Sequence, residues 1–472
     1  MNIIALKRTV TKLSLVFLLL VTNFVYAASL KEDLDSLIAM ELPQASVGVV
    51  IKDLGRGQTL YEQNPNKLLS PASGMKIFTA AASLYRLGPQ FHYETSLLKD
   101  DRNIYVRFSG DPSLTKENLT QLIQSLKKHL IQTIAGNVVI DDSKFKPPYY
   151  AAGINYDDLG WYYVAPSSAV ILNENKESFE FVSPKTIGHP VKIQSKNPNP
   201  PVKLINNLIS VSHAKERNHC NFNIDIRPNN TLKLYGCLPQ YKQVRHLALA
   251  IPEPSLYAKE VINEALKNSG IELQGKIIIG KTPGHATLIA SHQSPELVKL
   301  VGHMLKESDN VYADSLTKLL GYSLTREGTY KQGAYAIKQI IAKHTTLDTK
   351  KMDISDGQGT RYNLITPYQM VTLLTDLYND KSIWPYLSEA LPRMGESGSL
   401  QARMKETDLE KKVLAKTGTM HDMSSLSGYV MTQSGKPLAF SIMINNVHLP
   451  IGKAKQLEEK MLLILSKHIN GA

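Results

Sequence analysis

Cysteine is nearly absent from this chain: 472 residues contain two, Cys220 and Cys237. That scarcity excludes a small scaffold held together by disulfides and a zinc site built from cysteines. The two lie 17 positions apart and are expected to pair if the protein is exported. His213 and His219 nearby leave a metal site as the alternative, at a spacing that fits no usual ligand pattern. Also missing are internal repeats, low-complexity tracts and any glycine-rich loop that would cradle phosphate. No Lys/Arg stripe is interleaved with aromatics, so nucleic acid is not an expected partner despite a net charge of +12. The charge suits an anionic polymer or a membrane surface instead. The 13 histidines form no metal motif.

Long apolar runs are missing too, with one short exception. Lys7, Arg8 and Lys12 precede the apolar stretch Leu13 to Val21, and Val25-Tyr26-Ala27 ends it on small residues. Residues 1–27 therefore read as a cleaved signal peptide, and the mature chain as exported, most simply to a periplasm. No cysteine follows the cleavage site to carry a lipid, and no later stretch is long enough to span a bilayer.

What is present is a length that calls for more than one domain, with 43% hydrophobic and 20% charged residues. Helical spacing of Leu30, Leu34, Leu37 and Ile38 precedes a hairpin, strand 45–51 and return strand from Thr59. A helix is expected from Ser73 to the stop at Gly88-Pro89. Between about 89 and 285 the texture is mostly short strands and turns, interrupted by a helix over 114–130. A nested subdomain is expected near 176–240. Helices return over 294–306, 310–322, 330–344 and 367–379, then strands over 411–416, 427–432 and 437–445. The closing helix, 453–468, has an apolar face for packing on a sheet, with membrane contact the lesser reading. Residues 28–88 and 286–472 would thus make one α/β domain, an antiparallel sheet with helices, interrupted by a long insertion over 89–285.

Three motifs fall in order outside the insertion. Ser73-Gly74-Met75-Lys76 is one of six Ser-x-x-Lys matches, the others starting at Ser96, Ser113, Ser125, Ser212 and Ser315. Ser308-Asp309-Asn310 lies between two helices, and Lys416-Thr417-Gly418-Thr419 ends a strand. Lys281-Thr282-Pro283-Gly284 only imitates the third. A serine hydroxyl is a poor nucleophile at neutral pH and needs an adjacent base, which a desolvated lysine one helical turn away can be. The order Ser-x-x-Lys, Ser-x-Asn, Lys-Thr-Gly is the signature of penicillin-binding proteins and serine β-lactamases.

The chain resembles a class C low-molecular-mass penicillin-binding protein, a D-alanyl-D-alanine carboxypeptidase/endopeptidase of the peptidase S13 type. Roughly 235 residues separate Ser73 from Ser308, the long gap of that class. Ser109 to Leu114, Ala165-Pro166, Leu172 to Asn175, Asp356 to Gly359 and Gly398 to Leu400 also resemble family segments. Gln358 stands where the family often has serine, a departure at the pocket rim rather than at a catalytic position. The resemblance implies a penicillin-binding transpeptidase-like fold and hydrolysis of peptidoglycan stem peptides without a cofactor. It implies β-lactams as inhibitors that acylate Ser73. Ser73 would be the nucleophile, Lys76 its base and Ser308 a proton relay. Asn310, Lys416, Thr417 and Thr419 would bind substrate, and the backbone N–H groups of Ser73 and Thr419 would form the oxyanion hole. Two other readings remain: a serine β-lactamase, and a catalytically silent wall-binding protein.

Overall fold

The structure is a computed structural model that describes residues 29–212, 220–432, 435 and 437–470. The leader expected over 1–27, and His213 and His219, lie outside the described residues. Helix α1 (Leu30–Glu41) starts at a capping box in which Ser29 and Glu32 satisfy each other's backbone N–H groups. It leads to β1 (Ser46–Asp53) and β2 (Gln58–Gln63), then a 3-10 turn (Ala72–Met75) that runs directly into α2 (Lys76–Leu87).

The insertion follows. It holds β3 (Glu94–Lys99), β4 (Ile104–Arg107), α3 (Lys116–Lys128), β5 (Thr133–Ile134) and β6 (Val138–Asp141). Next come β7 (Lys176–Val182), β8 (Lys192–Ser195), β9 (Lys203–Val211), β10 (Phe222–Arg227), β11 (Thr231–Pro239) and β12 (Arg245–Ala250). It ends with α4 (Pro254–Asn268), β13 (Glu272–Leu273), β14 (Ile277–Ile279) and β15 (Thr287–Gln293). The chain then returns to the part that holds the first hairpin as α5 (Leu297–Lys306), α6 (Asn310–Thr325), α7 (Tyr330–His344), α8 (Pro367–Asn379) and α9 (Trp384–Ala390). It closes with β16 (Val413–Met420), β17 (Met423–Val430), β18 (Leu438–Asn445) and α10 (Gly452–Asn470).

The central sheet has the order β16-β17-β18-β1-β2, with β1 and β18 antiparallel from Ser46 opposite Asn445 to Asp53 opposite Leu438. The chain's first and last strands therefore lie side by side, and the insertion leaves between them. Period-two alternation explains the layers. In β18, Phe440, Ile442 and Ile444 face a core shared with Leu34 of α1 and Leu457 and Met461 of α10. Ala439 and Met443 face the opposite core, with Met370 and Leu374 of α8. The closing helix thus packs on the sheet, its apolar face buried.

Three differences from the sequence expectation have physical causes. Helix α4 lies inside the region read as mostly β; its buried Tyr257, Ala258, Val261, Ile262 and Leu266 are spaced as a helix, but strand-like segments flank it. Strand β15 pairs with β3 in the inserted sheet β14-β6-β4-β3-β15, so the return to the part that holds the first hairpin comes after Gln293 rather than at 286. Residues 417–426, read as a gap between strands, are the tips of β16 and β17, with Lys416 opposite Ser427 and Thr419 opposite Ser424. Serines suggest loop by composition, yet Ser425 Oγ donates to Pro71 O at 2.6 Å and Ser424 Oγ to Glu458 Oε1 at 2.7 Å. Those bonds satisfy the hydroxyls inside a buried strand. In the nested region, β10-β11-β9 and β12-β7-β8 form two small sheets, and Cys220 and Cys237 are joined with their Cα atoms 5.6 Å apart.

Candidate active site

The site forms where the 3-10 turn before α2, the N-terminus of α6 and the edge strand β16 meet. Ala72 has φ +46°, a left-handed conformation that costs a non-glycine residue ~1–3 kcal/mol and sets the turn presenting Ser73. Gly359, at φ +102°, lies against that turn so closely that a Cβ there would come within 1.8 Å of Ala72 O. Ser308 is also left-handed, at φ +58°, and swings the chain into α6, whose N-cap is Asp309 accepting from Tyr312 N at 3.1 Å.

Lys76 is wholly buried, and its Nζ lies 2.9 Å from Ser73 Oγ, 2.7 Å from Asn310 Oδ1 and 2.9 Å from Gln358 O. The orientation of the Asn310 amide follows from its other contact, in which Nδ2 donates to Tyr163 O at 2.8 Å. Asn310 Oδ1 and Gln358 O can only accept. A neutral amine has two N–H donors and one lone pair. With both donors committed, the lone pair is left to Ser73 Oγ, the direction a base requires. Burial lowers the Lys76 pKa to about 8, against the opposing charges of Asp314, Asp309 and Asp356. Asp314 sits one turn below Asn310 on α6, where its Oδ2 accepts from Gln358 Nε2 at 3.0 Å and Tyr330 OH at 2.8 Å. Burial, then the Asp356 charge, pushes Asp314 up to about 8.

On the opposite wall Lys416, also wholly buried, donates from Nζ to Ser308 Oγ and to Thr417 O, both at 2.8 Å. Burial first, and the Lys76 charge second, hold its pKa well below the ordinary lysine value. Thr417 Oγ1 donates to Ser399 Oγ at 2.8 Å, and Thr419 is exposed on the same edge strand. Edge position leaves one row of β16 backbone groups without a strand partner. Gly418 brings that strand against the turn that carries Ser73, since a Cβ there would sit 2.5 Å from Pro71 O.

All seven residues singled out by the three motifs therefore meet in one place. Three of them, Ser73, Asn310 and Thr419, line a cavity of about 660 Å³ together with Asp158, Arg361 and Asp422. A larger cleft of about 980 Å³ beside Tyr330 and Tyr335 holds none of the motif residues. Asp356, read as a cleft loop residue, is buried and organises the 356–363 turn, its Oδ1 accepting from Gly359 N at 2.8 Å and its Oδ2 from Asn363 Nδ2 at 2.9 Å. The decoy Ser315-x-x-Lys318 is buried as well. Its amine is spent on the carbonyls of Lys146, Pro148 and Ser167 at 3.1, 2.8 and 2.8 Å, which leaves no lone pair directed at a serine. Sequence reading missed Asp314, the Gln358 and Tyr163 carbonyls, and Arg361. Only Asp314 had an available signal, its position four residues after Asn310 on one helix face.

The model of the D-Ala-D-Ala carboxypeptidase 3 (S13) family matches residues 30–467. The D-alanyl-D-alanine carboxypeptidase DacB of Haemophilus influenzae is 30% identical over 424 residues, covering 86% of this chain and 87% of the relative. The D-alanyl-D-alanine carboxypeptidase of Actinomadura sp. (strain R39) is 30% identical over 446 residues, covering 89% and 81%. Among solved structures, penicillin binding protein 4 (dacB) from Haemophilus influenzae superposes with a TM-score of 0.84 at 28% identity, covering 92% of this chain and 99% of the other. A predatory peptidoglycan endopeptidase from Bdellovibrio bacteriovorus shares the fold, with a TM-score of 0.51 at 16% identity over 91% and 93% of the two chains.

Proposed function

Because the chain belongs to the D-Ala-D-Ala carboxypeptidase 3 (S13) family and is a serine-type D-Ala-D-Ala carboxypeptidase of it, we propose that Ser73 is the nucleophile of an acyl-enzyme reaction on peptidoglycan stem peptides. The observation that carries this is the Lys76 amine, whose contacts to Asn310 Oδ1 and Gln358 O leave its lone pair to Ser73.

Lys76 takes the Ser73 proton as Oγ adds to the carbonyl of the penultimate D-alanine. The oxyanion develops between the backbone N–H groups of Ser73 and Thr419, each such donor typically worth ~3 kcal/mol. Ser308, held by Lys416, passes a proton to the departing amine, and the C–N bond breaks to release the terminal residue. Water then attacks the Ser73 ester, the proton path reverses, and the peptide leaves as a carboxylate. Lys416, Thr417 and Thr419 hold the substrate's free carboxylate, which suits an ammonium flanked by hydroxyls.

When the departing amine belongs to a second stem, the same steps cleave a D-Ala-diaminopimelate cross-link. Arg361, Asp158 and Asp422, all in the cavity lining, offer complementary charge to a side chain carrying both an amine and a carboxylate. β-Lactams would acylate Ser73 as substrate mimics; the Haemophilus influenzae relative has been crystallised with one. The catalytic unit comprises 28–88 and the segment after the insertion, and the mature chain works outside the cytoplasm.

Labelled penicillin tests the assignment. The full-length mature protein should retain label covalently, and Ser73→Ala should abolish it. Label surviving in Ser73→Ala would remove Ser73 as nucleophile. Rapid release of hydrolysed penicillin would move the protein to the β-lactamases.

A further inference from the structure

At the far end of α6 from the active site lies a second cavity, of about 840 Å³, between the inserted sheet and the catalytic half. Asn310 begins α6 in the site just described, and Arg326, just past its last residue, lines the second cavity. Sixteen residues of helix put the two ends about 24 Å apart. The imitation motif beginning at Lys281 contributes both Lys281 and Thr282 to this second wall.

Five cations line it: Arg107 at the end of β4, Lys144 and Lys146 after β6, Lys281 after β14, and Arg326. Lys146 pairs with Glu327 at 3.4 Å; among the described residues none of the other four has a carboxylate within ion-pair reach. Both acids in the lining carry hydrogen bonds of their own: Asp141 accepts from Ser143 N at 3.1 Å and Thr282 N at 2.8 Å, and Glu94 accepts from Ser96 Oγ at 2.9 Å. Lys144 is partly buried, and burial first, then the neighbouring Arg107 charge, lowers its pKa to about 8 against the opposing charge of Glu94. Its amine and the Arg326 guanidinium instead approach the Tyr322 ring, at 5.5 and 5.8 Å. Two hydroxyls in the same wall are buried without a hydrogen-bond partner, Ser109 Oγ and Thr282 Oγ1, and Ser109 is only 4% exposed.

Arg107, Lys281 and Arg326 are exposed and solvated, but the partly buried Lys144 beside Arg107, next to buried hydroxyls without a partner, is a set that an anion entering the cleft would complete. We propose that this cleft is a second binding site, separate from the catalytic one, for an oxyanion carrying at least two negative charges. Phosphate and carboxylate oxygens both fit lysine, arginine and hydroxyl donors. They correspond to two sources, a phosphate compound or the recurring carboxylates of the wall polymer.

Titration calorimetry on the full-length mature protein at low salt, with inorganic pyrophosphate and with citrate, separates these sources. One or both should bind saturably with one site per chain. Pyrophosphate alone identifies phosphate, citrate alone identifies carboxylates, and both identify the shared chemistry. Lys144→Met and Lys281→Ala should each weaken binding about tenfold, the usual scale for losing one closely held charge. Lys281 is exposed, so its truncation leaves the packing untouched even if Lys144→Met disturbs it. Penicillin labelling of Ser73 should be unchanged in both variants, which keeps this readout independent of the catalytic reading. Binding by neither anion, or affinities within about twofold of wild type in both variants, overturns the site.

Discussion

Burial lowers the Lys76 pKa to about 8, while three carboxylates, Asp314 first among them, pull it upward. In the proposed mechanism the acylating form is the neutral amine, so the rate of penicillin acylation should rise as pH increases through that value. Asp314, itself pushed up to about 8, ionises over the same range; Asp314→Asn keeps an acceptor for Gln358 and Tyr330 but removes the charge that, from that pH upward, favours the ammonium. Its acylation limb should therefore move to lower pH, measured as rate against pH between about 6 and 10. An unmoved limb, or one moved upward, would show that Asp314 does not act on Lys76. Gly359→Ala makes a different demand. A Cβ cannot fit 1.8 Å from Ala72 O, so the nucleophile's turn must shift. Acylation should fall by about a hundredfold, the scale of an ångström's misplacement of a reacting group, while circular dichroism stays native. At this scale the residues that meet, Ser73, Lys76, Ser308 and Lys416, were legible, because the chemistry proposed for them demands particular residue types at fixed spacing. The carbonyls of Gln358 and Tyr163 were not, since every residue has a carbonyl and only the fold selects which one is used.

Elements were legible where the apolar period was clean, as in α1, α7 and α8, and illegible where burial contradicted composition, as in the serine-bearing β17. The loop between α5 and α6 shows a further limit: its electrostatics depend on neighbours distant in sequence. His303 on α5 lies 3.7 Å from Asp309, the N-cap of α6, and 3.9 Å from Glu174 in the insertion, with Lys176 also bonded to Glu174. The Asp309 carboxylate raises the His303 pKa over the opposing effect of burial, with Glu174 and Glu307 adding. A cation whose pKa is raised on folding stabilises the fold fully below its unfolded value, and the benefit is lost as pH rises through the folded one. The window therefore opens upward from the ordinary histidine value of 6.5. His303→Gln should lower Tm more at about pH 5.5 than at about pH 9. Equal deficits at both would mean that the ring acts by stacking on Tyr312, 4.3 Å away, and not by charge.

In the whole molecule the insertion is part of the site and not an appendage. It supplies Tyr163 O to Asn310 and, through Asn155 and Asp158, one wall of the catalytic cavity. The nested sheet supports that wall: the Trp161 ring meets Phe222 of β10 edge-on at 5.0 Å, and Cys220, two residues before Phe222, ties β10 to β11. The short strands and turns of this region were legible from texture, but its reach into the site was not, because contacts between segments so far apart leave no periodicity. Phe222→Ala removes one side of the Trp161 packing. The backbone of the segment stays tethered, since Ala250 N still donates to Gly160 O at 2.8 Å. The Lys76–Asn310–Ser73 geometry should then survive while the outer wall loosens. In the proposed reaction a small β-lactam would touch mainly the motif residues, whereas a stem peptide would extend along the wall. Phe222→Ala should therefore leave penicillin acylation within about threefold of wild type and cut kcat/KM on a stem peptide by about tenfold, mostly through KM. Parallel losses in both assays would mean that the nested sheet holds the catalytic groups themselves. No loss in either would mean that the wall stands without it.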